Sequence, residues 1–188
     1  MPVLYLIGCT APPVKDSATA IKLAQDTGWE VCLVLTPRAA GWLADELPAL
    51  EELTGHPVRS EYKMHGQPDV LPDADAMLAA PVTLNTLSKW AMAMPDTLAL
   101  GLLTEAIGKE LPLVALPYIN AAQAAHPALE AHVGLLRDNG VEILLGEDGH
   151  IPHPPGRGDA AAFAWRNAVG RITALHQDRV SRADIANT

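Results

Sequence analysis

Aromatic residues are scarce in this chain: one Phe, three Tyr and four Trp make up 4% of 188 residues. Cations are scarce as well, with 13 Lys and Arg against 22 Asp and Glu and a net charge of −9. The acidic field repels phosphate backbones, so no nucleic acid is expected as a partner, and the scarcity of aromatics leaves the chemistry to loops rather than aromatic platforms. Cysteine appears twice, at Cys9 and Cys32, both inside apolar runs that predict buried, reduced thiols rather than a disulfide scaffold. No run approaches the ~20 apolar residues of a membrane span. Leu6-Ile7-Gly8-Cys9 looks like a lipoprotein cleavage box, but the apolar stretch before it is short and the first basic residue is Lys15. These readings predict a cytoplasmic protein with no membrane partner.

The familiar catalytic loops are missing too. No Gly-x-Gly-x-x-Gly follows the first apolar run, and there is no Gly-x-x-x-x-Gly-Lys and no Gly-x-Ser-x-Gly. That argues against an ordinary dinucleotide dehydrogenase, a P-loop phosphotransferase and an esterase of the elbow type. His150-x-x-His153 has the spacing of a metal pair, but Pro152 and Pro154-Pro155 deny it a helix and no third ligand stands nearby. A solvated loop without metal is expected there.

What remains is a chain that is 49% hydrophobic, enough to bury one full core. We expect a single domain over residues 1–180 and a frayed tail over 181–188. Short continuous apolar runs predict buried parallel strands at 3–8, 31–35, 75–80, 113–116 and 141–145, with a shorter strand at 58–62. Helical spacing predicts helices from Val14 to Gly28 and over 38–53, the latter split by Pro48. Further helices are predicted from caps at Thr83 and Asp96, over 125–136, and over 159–180. Residues 65–73 and 146–158 read as loops. Strand-helix alternation predicts an α/β protein, a three-layer α/β/α Rossmann-like fold around a mostly parallel sheet. Such sheets bind ligands beyond the carboxyl ends of their strands. Four of those ends carry small hydroxyl or amide residues: Thr10, Thr36, Thr83 to Thr86, and Asn120.

The segment Ala80-Pro81-Val82-Thr83-Leu84-Asn85-Thr86-Leu87-Ser88-Lys89 resembles the Pro-Ala-Ser-Ala-Asn-Thr motif of the flavin-containing cysteine decarboxylases. That family spans phosphopantothenoylcysteine decarboxylases and the lantibiotic peptidyl-cysteine decarboxylases. The match rests on Pro81, Thr83, Asn85, Thr86 and Lys89, and continues into Ala91 and Asp96-Thr97-Leu98. Pro117-Tyr118-Ile119-Asn120 is similar to the family's Pro-x-Met-Asn, with His126-Pro127 at its Asn-Pro and residues 135–143 at its Leu-x-x-x-Gly-Val. Thr36-Pro37 stands at its Thr-Pro or Ser-Pro. The resemblance covers roughly residues 3–145, in order and in register.

The resemblance implies FMN bound between subunits of a homotrimer or trimer-based assembly, and oxidative decarboxylation of a small thiol or peptide-thiol substrate. It places cofactor contacts at Thr10, Ala11, Thr36, Arg38, Pro81, Thr83, Leu84, Asn85 and Thr86. It assigns Asn120 to the substrate carboxylate, and the base falls to His65 where the loop is read with a two-residue insertion. The chain also departs from the family. Counted back from Pro81 without gaps, the family's catalytic His falls on Gln67. Its Met-Trp pair falls on Gln123 and Ala124, and its Met before the Asn is Ile119. Its Gly- and Ser-rich first loop reads Thr10-Ala11-Pro12-Pro13 here, and the two prolines remove two backbone donors. These departures favour the alternative, a non-catalytic relative, flavin-binding or cofactor-free, that acts as a partner protein.

Overall fold

The first apolar run becomes an interior strand of the sheet, paired on both sides. A computed structural model describes residues 1–147 and 149–186, with strands β1 (Val3–Gly8), β2 (Glu30–Leu35), β3 (Ala76–Val82), β4 (Leu113–Pro117) and β5 (Val141–Ile143). All are parallel, in the order β2-β1-β3-β4-β5. Helices α1 (Ser17–Asp26), α2 (Pro37–Trp42), α3 (Leu47–Thr54), α4 (Leu84–Ala91), α5 (Leu98–Gly108), α6 (Ala121–Ala124), α7 (Pro127–Asp138) and α8 (Trp165–Ala186) fill the connections. The predicted three-layer α/β/α class is the observed one.

Side-chain alternation along the strands divides the core in two. Leu4, Leu6, Leu33, Leu35, Leu78 and Val114 pack on one face with Ile21 of α1, Leu50 of α3, and Val169 and Ile172 of α8. Tyr5, Ile7, Cys32, Val34, Met77 and Leu113 pack on the other with Leu87 and Trp90 of α4, Leu103 of α5 and Leu136 of α7. Both faces are covered, and that is why the strands read as unbroken apolar runs. Among the described residues no helix is long and apolar enough to cross a membrane.

Several elements differ from the sequence expectation. Pro81 lies inside β3 rather than ending it, where the β3–β4 register shifts between Ala79 and Val82. A shift of this kind gives proline a place without a ladder donor. Residues 58–62 form no strand; Arg59 alone bridges to Val34. Pro48 does split the predicted second helix, into α2 and α3. The cap of α5 is Thr97, whose side chain accepts from Leu100 N, while Asp96 pairs with Lys89. Helix α8 starts at Trp165, after a turn in which Asp159 accepts from Ala161 N. It runs on to Ala186, past the point where the sequence predicts fraying. Residues 187 and 188 of that predicted tail lie outside the described residues.

Candidate functional site

Strand order sets the position of the site. The chain leaves β1 toward β2 on one side and returns to pair β3 on the other, so connections diverge between the carboxyl ends of β1 and β3. Sheets of this order open a ligand crevice at that point. Here the two tips are joined by Cys9 N donating to Pro81 O at 2.9 Å. Tyr118 N donates to Val82 O at 2.9 Å and ties the β4 tip to the same place.

Four threonines line these tips. Thr36 occupies the N-cap position of α2, but its hydroxyl does not cap the helix. It lies instead 3.4 Å from the hydroxyl of Thr10, and both residues are half-buried. Thr83 caps α4: its Oγ1 accepts from Thr86 N at 3.3 Å and donates to Thr86 Oγ1 at 3.2 Å. Thr86 itself is buried, so it holds the turn from beneath. Its hydroxyl also reaches the Cys9 thiol. Burial pushes that thiol up, against the opposing hydrogen bonds from Thr86 and the Thr83 backbone. Cys9 is therefore a neutral packing group and no nucleophile at neutral pH.

The first loop offers few backbone donors. Ala11 N donates to Cys9 O at 2.8 Å, Pro12 and Pro13 have no N–H, and Val14 N returns to Ala11 O at 2.9 Å. The prolines begin a short 3-10 turn, Pro12–Asp16, ahead of α1. Arg38 in the first turn of α2 and Asn85 in the first turn of α4 are exposed, Leu84 is half-buried, and Ala11 and Pro81 are buried. This set suits a phosphorylated, hydroxyl-rich ligand held by side-chain hydroxyls, the α4 start and the Arg38 cation rather than by first-loop N–H groups.

Asn120 follows β4 as the cap of α6. Its Oδ1 accepts from Gln123 N at 2.9 Å, and its own N–H donates to Gln123 Oε1 at 3.0 Å, a reciprocal capping box. Gln123 thus has a structural duty at a position where the resemblance places a substrate-clamping Met. The Nδ2 of Asn120 has no partner among the described residues and keeps its donors open. His65 lies apart from these groups, on an exposed loop. That loop is closed by Gln67, whose Oε1 accepts from Met64 N at 2.9 Å and whose N–H donates to Met64 O at 3.1 Å. Among the described residues no hydrogen bond connects His65 to the strand tips.

Sequence reasoning missed the neighbours of Asn120. His150 and His153 do not lie in a solvated loop: both are half-buried and pack on Tyr118, with ring centroids 5.1 and 5.0 Å away. His150 Nε2 lies 2.7 Å from Ile119 O and 3.1 Å from Ile119 N. Burial lowers the His150 pKa, assisted by His153 and opposed by the bond to Ile119. Ala121 N donates to His153 O at 2.8 Å. The repeated His spacing is the one sequence signal that singles this loop out. Among the described residues no group of three or more His, Cys, Asp or Glu is arranged to hold a metal ion. A cavity of about 550 Å³ lies elsewhere, between α5 and the 59–74 connection over Tyr5 and Met77, and none of the strand-tip threonines lines it.

Comparison with known proteins identifies the family and the fold. The family model described as Flavoprotein matches residues 7–176. A curated cysteine/cysteine sulfinic acid decarboxylase from an unidentified prokaryote is 31% identical over 78 residues, 42% of this chain and 21% of that protein. The match thus spans about a fifth of that relative's length. Among solved structures, the FMN-dependent cysteine decarboxylase SpaF superposes with a TM-score of 0.69 at 22% identity, covering 93% of this chain and 97% of that one. TvaF, an FMN-dependent cysteine decarboxylase from thioviridamide biosynthesis, gives 0.72 at 18% identity, covering 94% and 99%. At these identities the two structures show a shared fold.

Proposed function

The chain belongs to the flavoprotein family, and on that premise we propose that it is an FMN-dependent decarboxylase of a cysteine-type thiol, small or at a peptide end. Support comes from the strand-tip hydroxyls at the β1/β3 divergence and from the solved cysteine decarboxylases that share the fold. The observation that carries the reading is the open Nδ2 of Asn120, two residues beyond the bond that ties the β4 tip to β3.

Thr10, Thr36, Thr83 and Asn85 would hold the FMN phosphate and its hydroxylated chain, with Arg38 for charge and Thr86 steadying Thr83. Ala11, Pro81 and Leu84 shape the rim. When bound, FMN supplies a two-electron acceptor for the thiol-bearing carbon, so that the electrons of the breaking carboxylate bond are taken up as an enethiol forms and carbon dioxide leaves. Asn120 Nδ2 donates to the substrate carboxylate and orients that bond. His65 serves as the base from its exposed loop. We place the chain in a homotrimer or trimer-based assembly, for which exposed Tyr62, Met64, Val70, Met92 and Met94 offer apolar contact surface.

A specific observation favours a second reading, a non-catalytic relative acting as a partner protein: Gln67 ties off its own loop and supplies no proton acceptor of histidine type. One experiment separates the two. Purified protein is examined for oxidised-flavin absorption, then mixed anaerobically with N-acetylcysteine while carbon dioxide is measured. Bleaching with release of carbon dioxide supports the decarboxylase. Protein that is colourless and takes up no added FMN overturns it, and flavin that is never bleached points to the non-catalytic relative.

A further inference from the structure

Asn120 is fixed on its downstream side by Gln123, through the capping box. Its upstream side is fixed by a different part of the chain. The backbone of Ile119, a residue 1% exposed, meets the imidazole of His150, with Nε2 at 2.7 Å from the carbonyl oxygen and 3.1 Å from the nitrogen. A neutral imidazole nitrogen either donates or accepts, so one tautomer makes one of these bonds, and in both cases it ends on Ile119. His150 is itself anchored: its N–H donates to Leu144 O at 3.1 Å, and its carbonyl accepts from Gly146 N at 3.0 Å. Its ring is wedged against Tyr118 and set nearly perpendicular to His153, at 83°. Further along, His153 bridges to Asn120 and its carbonyl accepts from Ala121 N. A strap of chain after β5 therefore braces the asparagine turn at three consecutive residues, 119 to 121.

We propose that His150 is a positioning residue for Asn120, holding the Ile119 backbone so that the open Nδ2 of Asn120 faces one direction. This rests on the reading that Asn120 engages the substrate carboxylate. Two variants separate the hydrogen bond from packing. H150F keeps a ring against Tyr118 and loses the bond; H150Q loses the ring and keeps a side-chain donor and acceptor. A buried Ile119 backbone group left unpaired in H150F frees the turn, and misplacement by about 1 Å costs on the order of 100-fold in rate.

The test is a double-mutant cycle on the FMN-loaded protein. Wild type, H150F, N120A and H150F/N120A are compared for kcat and KM with N-acetylcysteine. Alongside, the Asn120 side-chain amide signal, assigned by its loss in N120A, is followed by NMR without flavin or substrate. The expected result is a drop in kcat/KM for H150F of between about 10- and 100-fold. In the N120A background the same change should have less than about a twofold effect. The Asn120 amide signal should shift in H150F and stay near its wild-type position in H150Q. Losses that simply multiply in the double mutant, or an Asn120 amide unmoved in H150F, overturn the proposal and leave the role of Asn120 standing. If N120A alone retains full activity, the role of Asn120 falls and this proposal with it.

Discussion

The N–H of Cys9 donates to the carbonyl of Pro81 at 2.9 Å. The loops that follow β1 and β3 thus share a floor, although 72 residues separate them. Directly beneath the turn, Thr86 braces Thr83 and contacts the Cys9 thiol. The candidate ligand site is therefore built where the β1 and β3 tips are tied together, and its properties are open to measurement.

Thr83 combines a helix cap with a strand-tip hydroxyl. Thr83→Ala should lower stability by about 1 kcal/mol, the usual cost of a lost N-cap, and should weaken FMN binding as well. Thr83→Ser should restore both. Urea denaturation and flavin titration read the two effects separately.

The proline-blocked first loop leads to an unusual expectation, a gain of affinity. Pro12 is exposed, and Pro12→Ala restores one N–H beside Thr10. If that N–H reaches the ligand, one added hydrogen bond is worth about 1 kcal/mol, or roughly fivefold tighter FMN. Equilibrium dialysis against FMN checks it, and an unchanged or weaker affinity refutes it.

Gly158 lies against the aromatic cluster. A Cβ there would stand 2.3 Å from the Tyr118 hydroxyl and 2.6 Å from His153 Nε2. Gly158→Ala must displace packed rings, and we expect a loss of about 1–3 kcal/mol, read as a lowered thermal midpoint.

His150 is depressed below its ordinary value of 6.5 by burial, with His153 and Tyr118 as the titratable groups facing it. Between its folded value and 6.5 the unfolded chain binds the proton more readily, so stability rises with pH across that window. Its contribution is full above pH 6.5 and is lost as pH falls toward the folded value. Melting profiles from pH 7 downward should show this decline, and H150F should flatten it.

Both cysteines should resist alkylation in the folded protein. Burial raises Cys9, and burial followed by the charge of Glu30 pushes Cys32 up to about 12. Iodoacetamide at pH 8 should label neither until urea unfolds the chain, with mass spectrometry counting the adducts.

How much of this was legible in the sequence depends on range. The strands were readable because parallel strands covered on both sides leave continuous apolar runs, as in Val31 to Leu35. Thr10, Thr36 and Thr83 were readable because each comes directly after or soon after such a run. Pro81 misled because a proline normally ends a strand, and only the register shift against β4 accommodates it. Asp96 and Thr97 are both good caps; the nearby Lys89 decides between them by engaging the aspartate. The contact of His150 with Ile119 spans 31 residues. Local pattern carries no trace of such a contact, and the surrounding prolines suggest only a loop.

The interior place of β1, between β2 and β3, also bears on biosynthesis. Translation delivers β1 and β2 long before β3, so the emerging chain holds an apolar two-stranded ribbon with one flank of its first strand unpaired. Isolated ribbons of this kind are only marginally stable in water and prone to associate. The shared floor beneath the threonines cannot close until Pro81 has left the ribosome, and a nascent fragment truncated before β3 would expose the apolar flank that the complete sheet conceals.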